Sequence, residues 1–185
     1  MKASYTYILV LTTFAILMLM PTQRLETAAN YSGAFKHSGD GRIILFDTHT
    51  RETLSIVYRD SDGKYDSSSL EAVSHVLRCH GKSERHPISL KLIELIDKIQ
   101  DHFGAEIVHV ISGYRSPEYN FALSRKSSRV AHDSLHLRGL AMDIRIPGVD
   151  KVRLGEYARS LKAGGVGVYY SSGFVHIDVG PTRSW

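Results

Sequence analysis

The chain has too little cysteine to staple itself. Its 185 residues include one, Cys79, which excludes an internal disulfide and a zinc site of the multi-cysteine kind. A small buried hydrophobe is the ordinary role of such a residue. Proline is scarce at 5, and the 15 glycines form no repeat or low-complexity tract; collagen-like and mucin-like chains are excluded. No sign of charge dominates. Hydrophobic residues make up 43% and charged residues 23%, with a net charge of +4, which is globular composition and excludes a largely disordered chain. The length suits one domain with a core of its own. The small positive balance fits an anionic polymer (nucleic acid, acidic lipid or cell-wall glycan) without choosing among them.

Charge is also missing from the N-terminus. Lys2 is the only charged residue before Arg24, and residues 7–20 form an apolar run that Pro21 ends. A short basic start followed by such a run is the pattern of an export signal. Thr27-Ala28-Ala29 offers small residues for cleavage, while the uncharged stretch approaches the ~20 residues that span a bilayer. Residues 1–29 therefore read as a signal peptide or an N-terminal membrane anchor, 30–41 as a polar linker and 42–185 as the working domain. Export argues for a periplasmic or other extracytoplasmic location and against nucleic acid as a partner. It confines membrane contact to the N-terminal segment.

Within 42–185, periodicity predicts the elements. Residues 42–47 and 52–58 read as a strand hairpin. Helices are expected over 67–79 and 87–103, the second carrying Leu92, Ile93, Ile96 and Ile99 on one stripe with Gly104 as its stop. A strand follows at 106–112, and a short helix starts at Pro117, a favoured first helical position. Residues 127–135 read as a loop, 139–146 as a strand, 150–163 as a helix, and 167–170 with 174–179 as a closing hairpin. Helices come early and most strands late, which predicts an α+β fold, mainly an antiparallel sheet with flanking helices.

Three segments carry chemistry: Ser112-Gly-Tyr-Arg-Ser-Pro117, Ser134-Leu-His-Leu-Arg-Gly-Leu-Ala-Met-Asp143 and Phe174-Val-His-Ile-Asp178. On a strand, Gly139, Ala141 and Asp143 share one face, while Leu140, Met142, Ile144 and Ile146 share the other and belong to the core. The first face leaves open space with one carboxylate in it. His136 enters beside it, and His176 shares a face with Asp178. Two imidazoles and a carboxylate converging on a cavity make a catalytic zinc site with the fourth position open to water, whose pKa the metal lowers to roughly 7. Spacing alone leaves open the plainer reading, a hydrogen-bonded structural histidine and an aspartate paired with an arginine such as Arg145.

Taken together, Ser134-x-His136-x-x-Gly139-x-Ala141-x-Asp143, the upstream Ser112-Gly113-Tyr114-Arg115 and a later histidine in a closing hairpin resemble the zinc D-Ala-D-Ala peptidase superfamily, which also includes the Hedgehog signalling domain. Gly164-Gly-Val-Gly-Val-Tyr169, Phe174-Val-His-Ile-Asp178 and Gly180-Pro-Thr-Arg-Ser-Trp185 resemble, more narrowly, the murein endopeptidases of Gram-negative bacteria. The likeness covers about 42–185 and is strongest from 111 onward.

The resemblance implies a secreted zinc peptidase acting on peptidoglycan peptides, in particular on bridges between two diaminopimelate residues. It makes His136, Asp143 and His176 the ligands of one Zn2+ per chain. It matches Arg115 to the arginine that holds a substrate carbonyl or carboxylate and steadies the oxyanion, with a structural salt bridge as the alternative. Ser134 matches a serine near the substrate, or simply caps a turn. Many superfamily members place an acidic general base three residues before the last histidine ligand; here that position is Gly173. Asp178 is then the candidate base, or else the group that fixes the tautomer of His176.

Gly173 also keeps open a reading from another class, a non-catalytic zinc-stabilised module that binds murein or a protein. Within the enzymes the rival is a D,D- or L,D-carboxypeptidase that trims stem peptides. A regulatory adaptor stays open as a partner. So does another divalent ion such as manganese, since His and Asp accept several.

Overall fold

Ile43 and Leu45 alternate with less buried neighbours, and that period of two sets the first strand and the face on which the core is built. The computed structural model describes residues 35–185 except Arg129. The expected signal or anchor, and residues 30–34 of the linker, lie outside the described residues. No helix among the described residues is long and apolar enough to cross a membrane.

The elements run β1 (Arg42–Asp47), β2 (Thr53–Val57), α1 (Ser67–Val76), α2 (Leu90–Phe103), β3 (Val108–Ser112), α3 (Pro117–Lys126), a short 3-10 helix (Leu135–Arg138), β4 (Ala141–Arg145), α4 (Lys151–Ser160), β5 (Gly165–Tyr169), β6 (Phe174–Asp178) and β7 (Arg183–Ser184). One seven-stranded sheet has the order β2-β1-β3-β4-β6-β5-β7. The β1–β3 and β5–β7 pairs are parallel and the other four antiparallel. The α+β expectation with a mainly antiparallel sheet holds, as do both hairpins.

One face of the sheet is apolar across five strands. Leu45, Val108, Val110, Met142, Ile144, Val175, Ile177 and Val166 are buried there, and the predicted stripe of α2 (Leu92, Ile93, Ile96, Ile99) joins them with Leu154 and Ala158 of α4. Local chemistry sets the helix starts. Ser116 Oγ accepts the Tyr119 N–H one residue before Pro117, and Asp150 accepts from Val152 and Arg153. Cys79 is fully buried, as a small hydrophobe should be.

Two local expectations need correction. The strand expected over 139–146 starts only at Ala141, because Gly139 closes the 3-10 helix with φ +64°. A side chain there would be strained by that φ and would run into the Pro87 carbonyl. The face expected to include Gly139 is therefore carried by Ala141 and Asp143 alone. The expected loop over 127–135 also ends in the 3-10 turn that carries His136. Strand β7 had no counterpart in the sequence reading: two residues are too few to show a period.

The opposite face of the sheet carries the polar residues. Asp143 on β4 stands directly across from His176 on β6, His176 across from Gly167 on β5, and Ser112 on β3 across from Asp143. A bulge between Val110 and Ser112 shifts the β3 register next to this row, a common device for re-aiming side chains beside a site.

Candidate metal centre

Ser134 caps the 3-10 turn by accepting the His136 N–H at 3.4 Å, and the turn delivers the His136 ring over β4. His136 Nδ1 lies 2.7 Å from the Gly113 carbonyl oxygen. A carbonyl only accepts, so Nδ1 carries the proton and Nε2 presents a lone pair. On β6, His176 Nε2 lies 3.0 Å from Asp178 Oδ2, so His176 Nδ1 faces the other way with its own lone pair. The two lone pairs meet Asp143 Oδ1. The separations are 3.2 Å (His136 Nε2 to His176 Nδ1), 3.3 Å (His136 Nε2 to Asp143 Oδ1) and 2.8 Å (His176 Nδ1 to Asp143 Oδ1). Ligands at ~2.0–2.1 Å from one tetrahedral centre stand about 3.3 Å apart. All three residues are buried. Three acceptors face one another with no donor of their own, an arrangement that suits a cation. The donor set of two imidazoles and one carboxylate is that of a zinc site with an open position.

Electrostatics favour an ionised Asp143 and a neutral His136, and act the other way on His176, where a bound cation would have to displace a proton. Burial opposes the charge on Asp143, but the imidazoles of His136 and His176 and the Arg115 guanidinium outweigh it and hold the carboxyl well below the usual range. Burial pushes His136 down, which keeps it neutral and fit to ligate. Burial also acts against a charge on His176, yet its hydrogen bonds with Asp143 and Asp178 raise it overall.

Arg115 donates through Nη2 to Asp143 Oδ2 and through Nε to Ser112 Oγ at 2.8 Å. It thus fixes the carboxylate oxygen that points away from the imidazoles. Its Nη1 has no hydrogen bond among the described residues, and the residue lines a cavity of about 420 Å³ that opens over the three acceptors. Ser134 and Asp133 line it too, facing an aromatic wall of Tyr169, Phe174 and Trp185. Tyr170 is exposed outside this wall, and Tyr114 is buried.

Asp178 does not reach the cavity. It is fully buried, and Oδ1 accepts the Gly165 and Gly180 N–H groups, each at 2.9 Å. Oδ2 is taken by His176 and Arg183. A carboxylate with both oxygens occupied behind the imidazole is out of reach of water in the cavity. The sequence expectation of a general base at Asp178 is corrected on this geometry to its alternative, the partner that fixes the His176 tautomer. Gly173 sits in the β5–β6 turn at φ +71°, with nothing within 4 Å of where a side chain would start. Sequence reasoning read Asp133 only as part of a solvated loop, and it missed Arg183 and Trp185. The last two lie in the C-terminal motif quoted above, but only the fold shows what they touch.

The family described as the peptidoglycan L,D-endopeptidase MepK matches residues 36–185. The chain belongs to this family. The probable peptidoglycan L,D-endopeptidase MepK of Haemophilus influenzae is 36% identical over 148 residues, covering 78% of this chain and 78% of that protein. The peptidoglycan L,D-endopeptidase MepK of Escherichia coli K12 is 36% identical over 144 residues, covering 77% and 79%. The protein of that name from Shigella flexneri gives the same figures, 36% over 144 residues. No solved structure matches the chain. The family match spans the 3-10 turn, β4 and β6, the three elements that bring His136, Asp143 and His176 together.

Proposed function

We propose that this chain, a peptidoglycan endopeptidase by family, hydrolyses an L,D-amide bridge between two diaminopimelate residues of murein with one zinc ion held by His136 Nε2, Asp143 Oδ1 and His176 Nδ1. The observation that carries the reading is the meeting of three buried lone-pair donors, 2.8–3.3 Å apart, at the floor of an open cavity. A zinc ion in such a site polarises a peptide carbonyl and lowers the pKa of a water molecule. Work on murein puts the protein outside the cytoplasm.

The chain's own residues do the rest. The Gly113 carbonyl and Asp178 lock the two imidazoles in complementary tautomers. Arg115 holds Asp143 through Nη2, is itself braced through Nε on Ser112, and offers Nη1 to the scissile carbonyl oxygen as negative charge develops there, the kind of term that is often the largest in such catalysis. Ser134 both caps the turn and presents its hydroxyl to the cavity for a polar group of the peptide. With Asp178 occupied and Gly173 lacking a side chain, Asp133 is the remaining carboxylate on the cavity lining besides Asp143. It takes the role of proton acceptor. Neither an adaptor nor a membrane anchor is part of this reading.

Digestion of purified, bridged muropeptide dimers, with and without chelator, tests reaction, substrate and metal together. Dimers should yield monomers only when metal is present, and mass spectrometry should find no free amino acid. Release of a single amino acid would make the protein a trimming carboxypeptidase. Binding of dimers with zinc bound and no turnover would make it a recognition module.

A further inference from the structure

The short strand β7 is attached to the sheet at β5; its Arg183 and the adjoining Trp185 both line the cavity over the metal centre, and Arg183 also grips the carboxylate behind His176. Arg183 Nη2 donates to Asp178 Oδ2 at 2.8 Å and Nη1 to Oδ1 at 3.3 Å, a two-pronged grip on the carboxylate that orients His176. The chain of contacts is Arg183, Asp178, His176, with the last step at 3.0 Å. The Arg183 guanidinium also lies 5.1 Å over the Trp185 ring. Trp185 is pinned in turn: its N–H donates to the Val166 carbonyl at 3.3 Å, its carbonyl accepts the Val168 N–H at 3.1 Å, and its indole N–H donates to Tyr169 Oη at 3.2 Å.

The sequence of β5 makes the room. A Cβ on Gly165 would stand 2.6 Å from Arg183 Nη1, and one on Gly167 would stand 2.5 Å from the Trp185 ring. A side chain at Gly165 would force the Asp178 and Arg183 side chains to move, and one at Gly167 would force the Trp185 ring to move. The Trp185 ring in turn lies 5.3 Å from that of His176.

We propose that Arg183 is a positioning residue of the metal centre: held over Trp185, it fixes the Asp178 carboxylate that aims His176. Asp178 is buried, so it needs a nearby positive charge as well as backbone N–H groups to stay an ionised acceptor there. Arg183 supplies that charge and sets the carboxylate plane. Its removal leaves Asp178 free to turn and His176 free to take either tautomer. Partners of this kind are typically worth ~10–100-fold in metal affinity or activity.

The inference rests on the zinc reading above, and its test keeps the two apart. Zinc affinity is measured by competition with a fluorescent chelator for the wild type, Arg183→Met and Arg183→Lys, beside the melting temperature of each metal-free protein. Met keeps an aliphatic stem over Trp185 but removes the donors; Lys keeps the charge and loses the two-pronged geometry. Expected is a dissociation constant raised about 10–100-fold for Arg183→Met and by an intermediate factor for Arg183→Lys, with both metal-free proteins folded and Arg183→Met melting lower because buried Asp178 loses its charge partner. Nitrogen-15 histidine spectra should show His176 in mixed tautomers in Arg183→Met. Wild-type affinity and a single tautomer in a folded Arg183→Met protein would overturn the inference and leave the zinc reading standing. A wild type that binds no zinc would overturn both. If Arg183→Met does not fold, Arg183→Lys decides alone: weakened binding supports the inference and unchanged binding rejects it.

Discussion

His136 Nε2 and His176 Nδ1 face each other at 3.2 Å while each imidazole directs its proton elsewhere, to the Gly113 carbonyl and to Asp178. Two lone pairs at that distance repel unless a cation or an extra proton comes between them. Zinc binding should therefore stabilise the fold, by about 2.7 kcal/mol at a free concentration 100 times the dissociation constant. Calorimetric or fluorescence melting should show a higher midpoint with zinc that falls back on chelation. The His136→Ala protein should show no such rise and no hydrolysis of murein dimers, with its metal-free melting little changed. A midpoint indifferent to zinc in the wild type would contradict the assignment.

Asp133 gives a second expectation. It lies on the cavity lining, its side chain is 87% exposed, and its ion pair with Arg138 is long at 3.5 Å. An exposed carboxylate so weakly held can move toward a bound substrate. If it accepts the proton, Asp133→Asn should lower kcat on bridged dimers by roughly 10²-fold or more and leave zinc affinity intact. Steady-state kinetics beside a zinc titration reads both. Full turnover in Asp133→Asn would hand the role to a group of the substrate.

The elements with long, regular patterns were legible in the sequence. The four-residue stripe of α2 and the closing hairpin stand where their periods place them, and β4 keeps its alternation from Ala141 onward. The grouping of His136, Asp143 and His176 was legible through motif and resemblance, since spacing alone left the plainer reading of a structural histidine open. Two things were not legible. Asp178 shares a face with His176, as alternation requires, but alternation does not say that Gly165, Gly180 and Arg183 occupy its oxygens. The role of β7 was hidden because it depends on a parallel pairing with β5 that leaves no period in two residues.

Trp185 is the chain's single tryptophan, so its emission reports on one place. Trp185 is 51% exposed as a residue, and its ring packs where Gly167 has no side chain. Gly167→Ala should lift the ring off β5, shift its emission to longer wavelength and weaken zinc binding through Arg183. Emission spectra with a parallel zinc titration check this. An unshifted spectrum would mean that the ring is not seated on Gly167.

Away from the centre, Asp97 on α2 predicts a pH dependence of stability. Burial pushes its carboxyl up to about 6, and the neighbouring charges of Asp101 and Asp40 add to this against the hydrogen bonds from Tyr58 and Gly41. Its Oδ1 has no hydrogen-bond partner, as suits a carboxyl that keeps its proton. A group whose folded pKa lies above its ordinary value stabilises the fold fully below that ordinary value, near 3.8, and loses the contribution as pH rises through about 6. Asp97→Asn keeps an acceptor for Tyr58 and Gly41 and removes the titration. Melting of the two proteins across pH 4 to 7 should show Asp97→Asn gaining on the wild type as pH rises, with most of the change between about 4 and 6. Parallel curves over that window would mean that folding does not raise the Asp97 pKa.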